Sequence, residues 1–198
     1  MRLAFLASNN GSSFRAIVAA IAAGDLAATP CLVVSNRKAA PALDFAREHR
    51  IAAQFIPTTA DPDGADCRLA DALRAAGADL VILSGYLRKL GPQTLNAYAG
   101  RVLNIHPALL PKYGGQGMYG RRVHEAVVAA GEPESGATVH LVDEFYDHGA
   151  VIAQVRVPVR PEDTAADVER RVMAAEPDLF VQTLQNVVTG RITLPNAA

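Results

Sequence analysis

The sequence predicts an α/β fold, a doubly wound, mostly parallel sheet of the Rossmann-like kind with an antiparallel element near the C-terminus. Short apolar runs alternate with segments of helical periodicity, and the loops between them are short. Parallel strands need crossover helices and are buried on both faces, so they carry continuous apolar runs of this kind. Polar residues directly follow several of the runs, and ligands of such sheets bind beyond the carboxyl ends of the strands. The sequence therefore predicts a binding site at one edge of the sheet.

The individual elements follow from apolar spacing and from residues that start or stop helices. Strands are predicted over residues 3–7, 30–35, 53–57 and 79–84, at the start of 101–111, and over 137–142 and 151–159 as a hairpin-like pair. Helices are predicted from a cap at Ser12 or Ser13, over 41–50, 67–76, 92–98 and 123–130, over 163–180 with Thr164 as its cap, and over 181–188. The strand over 137–142 alternates as if one face were solvated, and residues 58–64 and 112–120 are predicted to be loops.

Length and composition set the class of protein. With 198 residues, half of them apolar, the chain is expected to form one domain over 1–198. The net charge is -1 and the Lys and Arg residues are scattered, so no basic patch for nucleic acid is indicated. Cys31 and Cys67 form no C-x-x-C motif, which indicates neither a metal site nor a disulfide framework. No apolar run is long enough for a membrane span, so a cytoplasmic protein with small-molecule partners is expected.

Asn104 and His106 stand near the centre of the stretch RVLNIHPALLP, residues 101–111. In an extended segment, side chains two residues apart leave the same face of the sheet. Pro107 stops the strand, so an amide and a titratable ring would point into one small volume at the strand end. The local pattern is equally compatible with an ordinary strand end, in which Asn104 caps a turn and His106 bonds a backbone carbonyl.

The turn after the first strand, Asn10-Gly11-Ser12-Ser13, leads into a helix. The free backbone N–H groups and the positive end of the helix dipole at such a turn favour a phosphate group. The turn is neither a P-loop nor a G-x-G-x-x-G motif, and many strand-to-helix turns share its pattern. Phosphate binding and an ordinary turn are therefore both open.

Other polar groups also have a structural and a functional interpretation. Arg88 and Lys89 suit a solvated helix start as well as a binding site. His140 is compatible with a structural role inside its strand. The acids of the loop over 143–149 are compatible with a solvated turn.

Taken in order, these motifs resemble the formyltetrahydrofolate-dependent formyltransferases. The resemblance is carried by Asn104-Ile105-His106-Pro107, Leu109-Leu110-Pro111 and Asp147, and it extends over nearly the whole chain. Further matching motifs are Asn10-Gly11-Ser12, Ser35-Asn36, Gly85-Tyr86-Leu87-Arg88, Lys112-Tyr113, Ser135-Gly136 with His140, Asp147-His148-Gly149, the segment 152–159, and Arg171 through Glu176. The likeness is greatest to the branch of the family that formylates glycinamide ribonucleotide in purine synthesis.

The resemblance implies a formyltransferase fold, with a phosphate-binding half over about 1–100 and a catalytic and folate-binding half over about 101–190. It implies 10-formyltetrahydrofolate as the cosubstrate and no metal. It places Asn104 and His106 at the formyl oxygen, gives Asp147 the proton transfer between the two nitrogens, and gives His140 a supporting role. It also implies a cis peptide bond before Pro111.

The same resemblance assigns the binding residues. The substrate phosphate is placed on Asn10, Gly11, Ser12 and Ser13, and the glycinamide or ribose end at Glu176. The folate is placed along Arg88, Lys89, Leu90, Val142, Asp143, Glu144 and Asp147. Two departures stand out: Ser13 replaces the Asn that often completes the phosphate turn, and Pro177 follows Glu176 where a His is usual.

Several alternatives follow from the same motifs. An amino-sugar formyltransferase is the main one, and the phosphate turn argues against it. A formyltetrahydrofolate hydrolase is expected to carry an extra N-terminal domain and a methionyl-tRNA formyltransferase a basic C-terminal domain, and a chain of this length is expected to hold neither. A non-catalytic folate- or nucleotide-binding module is disfavoured by the joint presence of Asn104, His106 and Asp147. A monomer and a weak homodimer are both open.

Overall fold

The computed structural model of the chain describes residues 1–195. The strands are β1 (Arg2–Leu6), β2 (Thr29–Ser35), β3 (Ala53–Phe55), β4 (Leu80–Leu83), β5 (Val102–His106), β6 (Glu134–Leu141) and β7 (Val151–Pro158). The helices are α1 (Ser12–Ala23), α2 (Pro41–Glu48), α3 (Pro62–Ala75), α4 (Pro92–Ala97), α5 (Arg121–Ala129) and α6 (Ala165–Val188).

The seven strands form one sheet in the order β3-β2-β1-β4-β5-β6-β7. The pairs among the first five strands are parallel, whereas β5–β6 and β6–β7 are antiparallel. The predicted α/β class with an antiparallel element near the C-terminus is confirmed. Because the chain runs outward from β1 to β3 and then returns to β4 on the other side of β1, the strand order reverses between β1 and β4. Ligands of open α/β sheets bind at such a reversal.

Both faces of the sheet are covered by helices, as the apolar runs predicted. In β1, Leu3 and Phe5 pack into a core with residues of α1, α2 and α6, while Ala4 and Leu6 pack into a second core with residues of α3 and α4. The side chains divide in this way because successive residues of a strand point to opposite faces of the sheet. Strand β1 is therefore central, and its carboxyl end is held rigidly.

Helix α3 begins earlier than predicted. Residues 62–64 belong to the helix and not to a polar loop, because the Oδ1 of Asp61 caps the first turn by accepting from the Gly64 N–H at 2.9 Å. Pro62 then occupies the first helical position, where a missing N–H costs nothing. An Asp-Pro start signal was present in the sequence, but the surrounding polar residues obscured it.

The two predicted C-terminal helices are one continuous helix, α6. Thr164 caps it as predicted, in a capping box with Asp167. The expected break near residue 180 does not occur, because Val172, Phe180 and Leu184 lie on one buried face that packs into the core. Pro177 lies inside the helix and removes one backbone hydrogen bond, and the packing of this face outweighs that loss.

Strand β6 is buried from Ser135 to Leu141, so the solvated face predicted for 137–142 is wrong. The alternation in the sequence is real, but its polar face meets other polar groups instead of water. Thr138 donates to the Ala108 carbonyl at 2.6 Å and accepts from the Leu110 N–H at 3.1 Å. The peptide bond between Leu110 and Pro111 is cis, as the resemblance implied.

Substituting Ala for Gly136 in β6 is expected to destabilise the protein by about 2–3 kcal/mol, the cost of forcing extra atoms into a packed core. A Cβ there would lie 2.0 Å from the carbonyl oxygen of Val155 and 2.7 Å from the Leu109 side chain. Urea denaturation measures the loss. Gly24→Ala is the control, since its Cβ would meet nothing within 4 Å and only the left-handed backbone at φ +84 costs free energy, about 1 kcal/mol. Equal losses in the two variants would contradict the steric argument.

Candidate active site

The carboxyl ends of β1, β2 and β4 are joined by hydrogen bonds of one serine. The Oγ of Ser8 donates to the Oδ1 of Asn36 at 2.6 Å and accepts from the Leu87 N–H at 2.8 Å. The N–H of Ser8 donates to the Gly85 carbonyl at 3.1 Å. Sequence reasoning gave Ser8 no role, because its partners are distant in the chain. These bonds fix the edge of the sheet where the strand order reverses.

The turn after β1 presents unused backbone donors to this edge. Gly11, not Ser12 or Ser13, is the N-cap of α1, with a left-handed backbone at φ 66. Because glycine has no side chain, no side-chain hydrogen bond caps the helix. The Phe14 N–H is used by the Oγ of Ser84 at 3.0 Å. Within residues 1–195 the N–H groups of Gly11, Ser12 and Ser13 have no acceptor. The side chain of Ser12 is exposed and that of Ser13 buried, so Ser13 can offer a ligand only its backbone.

Asn104 on β5 lies directly opposite His140 on β6 in the antiparallel ladder. The Nδ1 of His140 lies 2.8 Å from its neighbouring carbonyl, that of Leu141, so Nδ1 carries the hydrogen. Burial also lowers the pKa of His140, which favours the neutral ring. Its Nε2 is then an acceptor for the Nδ2 of Asn104, 3.1 Å away. This bond fixes the amide orientation and leaves the second N–H of Nδ2 for a ligand.

His106 is 3% exposed and both its ring nitrogens have partners. Nε2 donates to the main-chain carbonyl of Tyr113 at 2.7 Å, and Nδ1 lies 3.4 Å from the Oδ2 of Asp147. The other oxygen of Asp147 lies 3.5 Å from the Nε2 of His140, and its Oδ2 also accepts from the Gly115 N–H at 3.0 Å. The structure therefore brings Asn104, His106, His140 and Asp147 together, and their roles in a reaction stay a prediction.

A cavity of about 90 Å³ opens beside this group. Most residues predicted to bind folate line it, namely Arg88, Lys89, Leu90, Val142, Asp143 and Asp147, together with Asn104 and His140. Glu144 is exposed and is not part of the lining. Three aromatic residues also line it: Tyr86, and Phe145 and Tyr146 from the loop over 142–147, which the resemblance placed around the pterin ring without giving these side chains a role of their own. Phe145 and Tyr146 are 60% and 47% exposed, which is unusual for large apolar groups and typical of a ligand-binding rim.

Glu176 lies on α6 and not in this cavity. Its side chain is partly buried and has no hydrogen-bond partner among residues 1–195. Burial raises the pKa of its carboxyl to about 7. A carboxyl that loses its proton near neutrality can take a proton from a ligand or hold a cationic group.

Sequence reasoning also missed residues that hold the strand end after His106. The Nε2 of Gln154, on β7, donates to the Leu110 carbonyl at 3.0 Å and to the Oγ1 of Thr138 at 2.9 Å. His124 on α5 is buried, and its Nδ1 has no partner within residues 1–195. A polar residue inside an apolar strand or on an apolar helix face was the available signal for each of them.

Residues 1–195 hold no group of three or more His, Cys, Asp or Glu side chains placed to bind a metal ion. No helix in the same part of the chain is long and apolar enough to cross a membrane.

The profile of the formyl transferase family matches residues 1–184. A phosphoribosylglycinamide formyltransferase of Haemophilus influenzae is 35% identical over 195 residues, which is 98% of this chain and 90% of the relative. The chloroplastic phosphoribosylglycinamide formyltransferase of Vigna unguiculata is 39% identical over 193 residues. That match covers 96% of this chain, and the chain spans 62% of the plant relative's length. The crystal structure of glycinamide ribonucleotide transformylase 1 from Symbiobacterium toebii superposes with a TM-score of 0.90 at 31% identity, covering 100% of this chain and 92% of that one.

Proposed function

This chain belongs to the formyl transferase family, and from that membership we propose that it transfers the formyl group of 10-formyltetrahydrofolate to the amine of 5-phosphoribosylglycinamide. The products are N-formylglycinamide ribonucleotide and tetrahydrofolate, a step of purine synthesis. The observation that carries this proposal is the convergence of Asn104, His106 and Asp147 at the end of β5 in a chain of this family.

The chemistry needs a donor pair and a proton path. When the amine attacks the formyl carbon, the carbonyl oxygen becomes an oxyanion, the attacking nitrogen loses a proton and the departing folate nitrogen gains one. The free N–H of Asn104 stabilises the oxyanion, since it is held in place by His140 before the substrate arrives. The Nδ1 of His106 supplies the second donor when the ring carries both hydrogens, and the carboxylate of Asp147 faces that nitrogen from 3.4 Å. Asp147, through an ordered water, then passes the proton between the two nitrogens.

The substrate phosphate is proposed to bind at the start of α1. Gly11, Ser12 and Ser13 offer backbone N–H groups there, and the helix dipole favours an anion. Asn10, exposed next to them, is proposed to contact the same group. The turn lies at the sheet edge that also carries β5, so one extended substrate spans both. Glu176 is proposed to hold the amine or ribose end.

The folate is proposed to occupy the cavity beside His140, with Val142, Asp143 and Glu144 in the loop over its pterin ring. The rings of Tyr86, Phe145 and Tyr146 add apolar surface for stacking. Arg88 and Lys89 are exposed at the cavity, where their charges suit the glutamate carboxylates of the cosubstrate, and the buried Leu90 supports them.

An amino-sugar formyltransferase is the second candidate, because the groups around His106 suit transfer to any amine. A formyl-transfer assay with 10-formyltetrahydrofolate against glycinamide ribonucleotide, nucleotide-linked amino sugars and water separates the candidates. Fastest consumption with glycinamide ribonucleotide is expected. Faster consumption with an amino sugar would overturn the first choice, and equal consumption with water alone would indicate a hydrolase.

We also propose a single domain over 1–198, a cytoplasmic location, and a monomer or weak homodimer that binds neither nucleic acid nor membranes. The near-zero net charge and the scattered basic residues support the absence of a nucleic-acid partner. Analytical ultracentrifugation over a range of concentrations tests the oligomeric state.

Glu176→Gln is expected to gain stability relative to the unchanged protein as the pH rises from about 5 to about 8. The folded-state pKa of about 7 lies above the ordinary value of 4.5, so folding favours the neutral carboxyl. That contribution is complete below about pH 4.5 and is lost as the pH rises through about 7. The glutamine is neutral throughout, so urea unfolding of the two proteins should diverge by about 1–3 kcal/mol. Glu48→Gln, at an exposed acid of α2, is the control, and the same pH course in both variants would contradict the prediction.

A further inference from the structure

The ring of His106 is held by a main-chain group outside its own strand. Tyr113 has a left-handed backbone at φ 57, which is uncommon for an aromatic residue, and this directs its carbonyl to the Nε2 of His106 at 2.7 Å. A carbonyl oxygen only accepts, so Nε2 always carries its hydrogen. The Nδ1 of the ring is then the nitrogen that faces Asp147 and is left to act as the proposed donor. The position of Tyr113 therefore decides which nitrogen of His106 can react.

Packing alone does not hold Tyr113 in this position. Its ring lies beside a cavity of about 260 Å³ that is separate from the proposed folate cavity. The Oε1 of Glu132, in the turn before β6, accepts from the phenol of Tyr113 at 3.0 Å and from the Nζ of Lys112 at 2.8 Å. These two bonds keep the pKa of Glu132 below its ordinary value, so the acceptor stays charged. One carboxylate thus fixes two successive residues of the segment that contacts His106.

We propose that Glu132 is a positioning residue for the transfer reaction, acting through Tyr113 on the ring of His106. The proposal rests on the proposed function, because the orientation of His106 matters for turnover only if that ring serves the reaction. Glu132 contacts no reacting group itself. Its effect is to hold the Tyr113 carbonyl against Nε2, which leaves Nδ1 pointing at Asp147 before the substrates bind.

Glu132→Ala is expected to lower kcat about 10- to 100-fold, the cost of misplacing a catalytic group, while KM for both substrates changes less than about threefold. Tyr113→Phe removes the same hydrogen bond and is expected to have the same effect. Combining the two should cost no more than Glu132→Ala alone, because Tyr113→Phe removes a contact that Glu132→Ala already removes. Glu132→Gln keeps an oxygen that accepts from the phenol and is expected to restore kcat to within about threefold of the unchanged protein.

Glu134→Ala is the matched control. Glu134 is the next acid in the chain, and it pairs with the exposed Arg156 at 2.7 Å and makes no bond to Tyr113. The kcat of the Glu134→Ala variant is expected to stay unchanged. A Glu132→Ala variant that behaves like Glu134→Ala, or a double variant whose losses multiply, would overturn the proposal.

A readout that needs no turnover separates this proposal from the proposed function. Nitrogen-15 NMR of the His106 ring reports which nitrogen carries the hydrogen. The unchanged protein is expected to give Nε2–H alone when the ring is neutral, and Glu132→Ala a mixture of both forms. An identical ring spectrum in the two proteins overturns the proposal, whereas a changed spectrum supports it. Absence of formyl transfer by the unchanged protein overturns the proposed function, and the ring spectra still decide the link from Glu132 to His106.

Discussion

Asp147→Asn is expected to lower kcat at least about 100-fold, the usual contribution of a group that moves a proton in the transition state. The asparagine keeps an oxygen that can accept from the Gly115 N–H, so this contact between the two loops is retained. It loses the carboxylate charge that faces both His106 and His140. Steady-state kinetics give kcat, and titration with tetrahydrofolate and with the amine substrate gives the two dissociation constants. Those constants should change by less than about threefold, because binding does not require the proton transfer.

His148→Gln is the control for this prediction, since His148 is the adjacent ionisable residue and is exposed. Its kcat is expected to remain near that of the unchanged protein. The assignment of the proton path to Asp147 would be wrong if Asp147→Asn kept most of its turnover. It would also be wrong if both ligands lost affinity in proportion to the lost turnover.

The part of the site that the sequence predicted depends on local geometry. The alternation of side chains along a strand put Asn104 and His106 on one face, and Pro107 fixed where the strand ends. The glycine and serines of the turn after β1 predicted unused N–H groups at the start of α1. Each of these inferences needs only neighbouring residues, so the sequence carries it.

The rest of the site depends on strand register and on long-range contacts. His140 lies opposite Asn104 only because β6 pairs with β5 in one particular register, and no local sequence pattern specifies that register. Asp147 reaches His106 from a loop beyond β6, with a left-handed backbone at φ 58. Without the family resemblance, Asp143 and Glu144 were equal candidates for that position. The bond between Glu132 and Tyr113 joins two loops and had no local signal at all.

The fold shows the same division between local and distant causes. The apolar runs predicted every strand of the sheet, whereas the division of the C-terminal helix failed because tertiary packing decides where that helix ends. Helix α6 continues through Pro177 because its buried face continues, although propensity alone favours a break near a proline. Strand β6 looked half-solvated because Thr138 and His140 are polar, and both are buried against other polar groups. A polar residue in a strand therefore signals either solvent or a site, and only its partners distinguish the two.

His106→Ala is expected to lower kcat at least about 100-fold with dissociation constants changed by less than about threefold. The partner of the ring, the charged oxygen, forms only as the amine attacks, so the ring contributes little to the bound ground state. The substitution also leaves the partly buried carbonyl of Tyr113 without its donor, which costs about 1–3 kcal/mol of stability. Kinetics must therefore be measured well below the unfolding temperature of the variant.

His49→Ala is the matched control for this substitution, because His49 is an exposed histidine at the end of α2. It should leave both turnover and affinity unchanged. Added imidazole is expected to restore part of the turnover of His106→Ala, since the substitution opens a space for the ring at the end of β5, and to have no effect on Asp147→Asn. A large rise in the Michaelis constants of His106→Ala with unchanged kcat would mean that the ring binds the substrate ground state. In that case Asn104 alone would be left to stabilise the oxyanion.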